Sequence, residues 1–168
     1  MLLYHPMYDL SHYIFRILQI LVATKQQEIY VEQIRILDFY LLFPSQIRYM
    51  QVPISAVGLK RRLSTNPNPY DEIHDPILIF ARMEPYQLLA LKCLVSKDMI
   101  TMDSIKNGKV VLQEENLPYE LKKSVENKNE KEHELMEFLT ETLLELEFFG
   151  DKGLKARTKL LEYRYDHS

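Results

Sequence analysis

The sequence predicts a mainly α-helical fold that carries a small β-hairpin. Several segments place apolar residues at the three- and four-residue spacing of an amphipathic helix, and Asn107-Gly108, a strong hairpin signal, separates two short apolar runs. With 168 residues, of which 46% are hydrophobic and 27% charged, the chain has the length and composition of one folded domain, or of two small ones sharing a core.

The composition also limits the compartment and the class of protein. A single cysteine, Cys93, excludes an intrachain disulfide and favours a reducing cytoplasm. No apolar stretch reaches the ~18 to 20 residues that span a bilayer, and the N-terminal sequence MLLYHPMYDL shows no signal peptide. The formal net charge of −3 argues against a protein that coats nucleic acid by bulk electrostatics. We therefore expect a folded cytoplasmic protein with no membrane contact.

The first helix is predicted within DLSHYIFRILQILVATK. Asp9 is a suitable N-cap, and apolar residues recur at helical spacing from Leu10 to Leu21. On a helical projection His12, Arg16 and Gln19 occupy the opposite, polar side. The pattern is typical of an amphipathic helix that packs one face on a core.

The second helix, within YVEQIRILDFYLLFP, is apolar almost all the way round. Its three charges, Glu32, Arg35 and Asp38, follow one another at three-residue spacing and could pair locally. A helix with this pattern, too short to cross a membrane, is typically buried. We expect it to end before Pro44 and to place Phe39 and Phe43 in the core.

A third helix is predicted within ILIFARMEPYQLLALKCLVSKDMI, with Pro85 in its first turn. The runs TMDSI and KVVLQ then flank Asn107-Gly108 as the strands of the hairpin. Helix, short helical turn, hairpin and a further helix is the order expected of a winged-helix unit. The predicted fold class is therefore mainly α with a small β-hairpin, in a winged-helix-like α+β arrangement.

The C-terminal part is predicted to contain a short helix near 117–125 and a long acidic helix that stops near Gly150. On that long helix Leu144 and Phe148 project among acidic residues such as Glu141 and Glu145. An adjacent apolar pair on a charged face indicates a partner-docking site, although scattered surface hydrophobic residues are also ordinary.

We divide the chain into four parts that form one compact unit. They are an N-terminal helical part at 1–65, a proline-rich loop and seam at 66–82, a helix plus hairpin at 83–118, and the acidic long helix with a basic tail at 119–168.

No motif in the sequence predicts catalysis. The histidines lack the spacing of a zinc site, and no phosphate-binding glycine loop or nucleophile elbow is present. Glu72, His74 and Asp75 stand together, but Asp-, Asn- and Pro-rich turns produce the same pattern. Cys93 reads as a small buried residue of the third helix. We expect a protein that is not an enzyme, with no metal and no cofactor.

A basic patch is predicted in the first part of the chain. Arg48, Lys60, Arg61 and Arg62 lie in a segment without an acidic residue. Such a patch could contact phosphates of DNA, meet an acidic protein surface, or simply keep an exposed helix solvated.

The sequence resembles a known family. The segments PMYDLSHYIFRILQIL, IRILDFYLLFP and LIFARMEPYQLLALKCLVSKDMI, with NGKVVL after them, are similar to the middle component of bacterial three-component ABC-ATPase systems. They look most like the small subunit of Lamassu-type anti-phage defence. The similarity extends over roughly residues 6–117, and none of the segments is catalytic.

The resemblance implies a non-enzymatic accessory subunit, comparable in role to the kleisin-type subunits of SMC complexes. Its partners would be an SMC-like ABC ATPase and an effector subunit, often a nuclease, in anti-phage or anti-plasmid defence, with DNA contact within the complex. The alternative is a free-standing winged-helix transcription regulator, which needs a basic recognition helix. The segment 85–97 carries only Lys92 and Lys97, which disfavours that alternative.

Overall fold

The computed structural model describes residues 5–65, 73–104 and 108–161. Its regular elements run in the following order: α1 (Leu10–Ala23), β1 (Ile29–Tyr30), α2 (Val31–Leu42), α3 (Val57–Ser64), α4 (Pro76–Ser96), β2 (Ile100–Met102), β3 (Lys109–Leu112), α5 (Tyr119–Lys131), α6 (His133–Glu137) and α7 (Leu154–Thr158). Within these ranges there are also four short 3₁₀ helices and one π-helical segment, Phe138–Leu143. The chain is mainly helical with a small antiparallel sheet, which confirms the predicted fold class.

Helix α1 lies at the centre of the fold, in contact with α2, α4 and α5. It begins where predicted, because the Asp9 carboxylate accepts a hydrogen bond from the backbone N–H of Ser11 at 2.8 Å. Of its predicted polar side, however, His12 is exposed and the other two residues are not. Arg16 and Gln19 are both buried, since helices pack against α1 on more than one side. The prediction of a solvated polar face is therefore wrong at these two positions.

Helix α2 is buried on nearly every side, as its sequence predicts. Phe39 and Phe43 lie in the core, and the helix ends at Leu42 because Phe43 precedes Pro44. The Phe39 ring meets the ring of Phe80 on α4 edge to face, with centroids 6.0 Å apart. This helix connects the N-terminal half of the core with α4.

Helix α4 begins nine residues earlier than the position predicted from Pro85. Asp75 is its N-cap, accepting a hydrogen bond from the N–H of Leu78 at 3.0 Å, and Pro76 occupies the first helical position. Pro85 therefore lies inside the helix, on its exposed side, and not in the first turn. The end of the predicted proline-rich loop is helical, while residues 66–72 lie outside the described ranges.

The hairpin is present as predicted. Strand β2 pairs antiparallel with β3, with Ile100 opposite Leu112 and Met102 opposite Val110. Asn107, in the predicted turn, lies outside the described residues. A third strand was not predicted, since β1 contributes only two residues and pairs with β3 through Ile29 and Val110.

The strand order is β1-β3-β2. One helix precedes β1, α2 to α4 follow it, and the β2-β3 hairpin closes the sheet. This succession is compatible with the predicted winged-helix-like arrangement, which stays a prediction.

The C-terminal helices differ in length from the prediction. Helix α5 is longer than the predicted segment 117–125, and the long acidic helix ends at Leu143 rather than near Gly150. At that end the N–H of Leu144 bonds the carbonyl of Leu139, an i to i+5 contact that marks the π-helical turn. The chain then turns back, and Gly150 adopts a positive φ of 89° within this turn.

Within the described ranges, no helix has both the length and the apolar character needed to cross a membrane.

Candidate partner-binding surface

A cleft with basic walls lies on the N-terminal half of the molecule. It forms where α3 packs against the 3₁₀ helix Pro44–Tyr49, and its volume is about 540 Å³. We call it the basic cleft. Its lining residues are Arg48, Tyr49, Met50, Gln51, Val52, Val57, Lys60, Arg61 and Ser64.

The structure brings three of the four predicted basic residues into this cleft. Lys60 Nζ donates to the carbonyl of Met50 at 2.6 Å, and Arg48 Nε donates to the carbonyl of Ser45 at 3.2 Å. Arg61 is exposed, and its side chain has no hydrogen bond or ion pair with any residue that the structure describes. Arg62 does not line the cleft, because its Nε lies 3.3 Å from the carboxylate of Glu134 on α6.

Tyr49 is the residue of this surface that the sequence analysis missed. Its side chain is 72% exposed, and the guanidinium carbon of Arg48 lies 5.7 Å from its ring centroid. The basic patch therefore includes an aromatic ring. The adjacent Arg48-Tyr49 dipeptide was the available signal, but the fold is needed to bring it beside α3.

The predicted docking pair on the acidic helix has a different geometry from the one expected. Leu144 is 3% exposed and Phe148 is 9% exposed, because the helix ends before them and the chain turns them inward. Phe148 stacks on Tyr30 with ring centroids 6.3 Å apart, and Lys155 Nζ lies 5.4 Å from its centroid. Exposure on an acidic helix face, the basis of that prediction, is thus wrong. A role for the pair in partner binding stays a prediction.

The two glutamates named with this pair lie in different environments. Glu141 is half-buried and forms an ion pair with Lys25 at 2.9 Å. The hydrogen bond within this pair raises the pKa of Lys25. Glu145 is exposed. The Glu141 carboxylate is thus already paired with a cation.

Four buried polar side chains form one connected network between α1, α2 and α4. Asp38 is fully buried and accepts hydrogen bonds from Arg16 Nε at 2.6 Å and from Gln87 Nε2 at 2.8 Å. Arg35 Nε donates to Gln87 at 2.9 Å, and its terminal nitrogen lies 2.9 Å from Glu84. Burial lowers the pKa of Arg35, while the Glu84 carboxylate opposes that shift. Because each charge faces a partner, the network joins helices rather than presenting a reactive group.

His74 and Asp75 line one cavity at the start of α4, with His5 and Phe43 among the other lining residues. The Asp75 carboxylate is used as the cap of α4, His74 is exposed, and Glu72 lies outside the described residues. Cys93 is half-buried on α4, not fully buried as predicted. Over residues 5–65, 73–104 and 108–161, no group of three or more His, Cys, Asp or Glu side chains could hold a metal ion.

Comparison with curated proteins and with solved structures gives no match for this chain. A family model does match, over residues 2–166, and its description is ABC-three component (ABC-3C) system Middle Component 5. The match spans nearly the whole chain and includes every element of the fold described above. It suggests an accessory role in an ABC ATPase system. The chain therefore belongs to the ABC-three component system Middle Component 5 family.

Proposed function

We propose that this chain is a non-enzymatic accessory subunit that links an SMC-like ABC ATPase to an effector subunit of the nuclease type. The system would act in the cytoplasm as a bacterial anti-phage or anti-plasmid defence, most like a Lamassu-type complex. The observation that carries the proposal is the family match over residues 2–166, which makes the chain the middle component of a multicomponent system.

The charge distribution supports a bridging role. The basic cleft lies on α3 and the 3₁₀ helix before it, whereas α6 and the π-helical segment after it carry Glu134, Glu137 and Glu141 and no lysine or arginine. Surfaces of opposite sign on different elements suit two different partners, because complementary charge favours the correct encounter and like charge opposes the wrong one.

The outward face of α4 argues against a free-standing transcription regulator. In a winged-helix-like arrangement this helix would have to read the DNA groove, which needs basic and polar side chains. Instead it exposes Ile77, Leu78 and Leu89 to solvent, together with the cations Arg82 and Lys92. We therefore propose that any DNA contact by this subunit occurs only within the assembled complex.

Co-expression tests the proposal. The tagged chain is produced with the ABC ATPase and the third component of its own system, and the complex is analysed by affinity capture and size-exclusion chromatography. We expect the chain to co-migrate with both components together and with each one in pairwise expression. Absence of co-migration with either component contradicts the bridging role. Nucleotide or nucleic-acid hydrolysis by the isolated chain contradicts the non-enzymatic assignment.

A further inference from the structure

We propose that the basic cleft binds an acidic segment of a protein component of the complex, with an apolar side chain of that segment packed on the ring of Tyr49. The inference rests on the proposed function, since it requires that the chain assembles with other proteins. It adds the chemistry of the partner surface and the residues that recognise it.

All the charged side chains that line the cleft are cationic. Three cations line it, Arg48, Lys60 and Arg61, and no aspartate or glutamate is among the lining residues. In an isolated protein, neighbouring like charges repel one another, and a nearby opposite charge lowers their electrostatic energy. Within the described part of the chain, none of these three cations has a carboxylate partner closer than 4 Å.

Two of the cations are held in place by backbone carbonyls before any partner arrives. Lys60 is fixed by Met50, and it keeps two further N–H donors. Arg48 uses Nε toward Ser45, which leaves the two terminal nitrogens of its guanidinium for a carboxylate. Side chains that are already positioned lose less conformational entropy on binding, so their contacts contribute more to affinity.

Exposed apolar groups accompany these charges. Tyr49 is 72% exposed and Val57 is 42% exposed in the cleft, while Ile54, in the 3₁₀ helix directly before α3, is 93% exposed. Tyrosine and arginine are enriched among the residues that dominate binding energy at protein interfaces. Aliphatic side chains beside them favour a partner with an apolar anchor as well as acidic groups.

The same observations disfavour nucleic acid as the occupant. Affinity for a phosphate backbone grows with the number of phosphates neutralised, and the cleft offers only three lining cations on a chain with a net charge of −3. Ile54 and Val57 have no counterpart in a phosphate backbone. An acidic, amphipathic protein segment matches both the cations and the apolar groups.

The test uses the full chain and its co-expressed ATPase and third component, with variants that keep the fold. Arg48→Glu/Arg61→Glu reverses the charge of the cleft, and Tyr49→Ala removes the ring. The matched control, Lys92→Glu/Lys123→Glu, reverses two exposed lysines on α4 and α5. Thermal melts of each isolated variant establish that it is folded.

We expect the charge-reversal variant to bind one component at least tenfold more weakly, and Tyr49→Ala to bind that component several-fold more weakly. The control should bind normally. Raising the salt concentration should weaken the wild-type complex and narrow its difference from the charge-reversal variant, because salt screens the pairs that were lost.

The outcomes separate the two proposals. If wild type binds neither component, the proposed function fails and this inference fails with it. If wild type binds and the cleft variants bind equally well, only this inference is overturned. It is also overturned if the variants assemble normally but lose binding to a 20-nucleotide single-stranded DNA probe, or if they lose only self-association of the isolated chain.

Discussion

Phe39 lies at the centre of an aromatic cluster in the core. Its ring centroid lies 5.1 Å from that of Tyr40, 5.5 Å from that of Phe43 and 6.0 Å from that of Phe80, and none of its surface is exposed. Removing the ring takes away apolar burial and leaves a cavity between α2 and α4. The side chain therefore stabilises the fold from inside.

At this scale we predict that Phe39→Ala lowers the free energy of unfolding by ~3 to 5 kcal/mol, measured by urea denaturation of the isolated chain. Tyr49→Ala is the matched control, since a ring that is 72% exposed should change stability by no more than ~0.5 kcal/mol. An unchanged stability for Phe39→Ala together with lost partner binding would make Phe39 a docking residue instead.

Single residues also show how far the sequence predicts burial. The all-round apolar pattern of α2 was sufficient to place Phe39 and Phe43 in the core. Gln19 could not be placed in this way, because its burial depends on a partner 110 residues away. Its side-chain amide donates to Asn129 Oδ1 at 3.1 Å, and Asn129 in turn donates to the Gln19 carbonyl at 3.1 Å. A helical projection contains no information about such a partner.

At the scale of the elements, the network around Asp38 joins α1, α2 and α4. We predict that Asp38→Asn lowers the free energy of unfolding by ~3 to 5 kcal/mol, because it leaves the buried guanidinium of Arg16 without its counter-charge. Pairing this change with Arg16→Met in a double-mutant cycle should show a large coupling energy.

The control for this prediction is an exposed ion pair. Arg62 and Glu134 lie 3.3 Å apart with both side chains well exposed, so Glu134→Gln should cost no more than ~1 kcal/mol. A loss for Asp38→Asn as small as the loss for Glu134→Gln contradicts the assignment of Asp38 as the link between the helices.

The sequence predicted an element best where the apolar pattern and the end signals of that element agree. The boundary of α4 was missed although Asp75-Pro76 is a standard cap and first position, because Pro85 offered a competing signal. The end of the acidic helix was missed for another reason. The first sequence signal for a helix stop is Gly150, but the chain leaves the helix at Leu143, so Leu144 and Phe148 turn inward while Phe149 is 46% exposed.

At the scale of the whole molecule, one continuous hydrophobic core joins the N-terminal and C-terminal parts. Ile17 on α1, Val125 on α5 and Phe138 in the π-helical segment are all fully buried in the same cluster. We predict that a chain cut after residue 118 loses cooperative unfolding, because it exposes the α1 surface that α5 covers. Circular dichroism melts of the full and shortened chains test this. A sharp transition in the shortened chain shows instead that residues 1–118 form an independent unit.

For the whole molecule, the sequence was sufficient to predict the order of elements and the basic residues. It was not sufficient to predict the cleft that those residues line. Arg48 and Lys60 are separated by twelve positions, and only the packing of α3 on the preceding 3₁₀ helix places them on one surface. The two-residue strand β1 could not be predicted from the sequence either, because Val110, the partner of Ile29, lies 81 positions further along the chain.

The network around Asp38 also has an evolutionary consequence. The Asp38 carboxylate accepts hydrogen bonds from side chains of two other helices, and Gln87 also bonds Arg35. Replacing any one member alone would therefore leave a buried polar group without its hydrogen-bond partner. Descendants of this sequence would have to pass through a destabilised intermediate to exchange any one of them. Arg16, Arg35, Asp38 and Gln87 should therefore change together among relatives, or remain as they are.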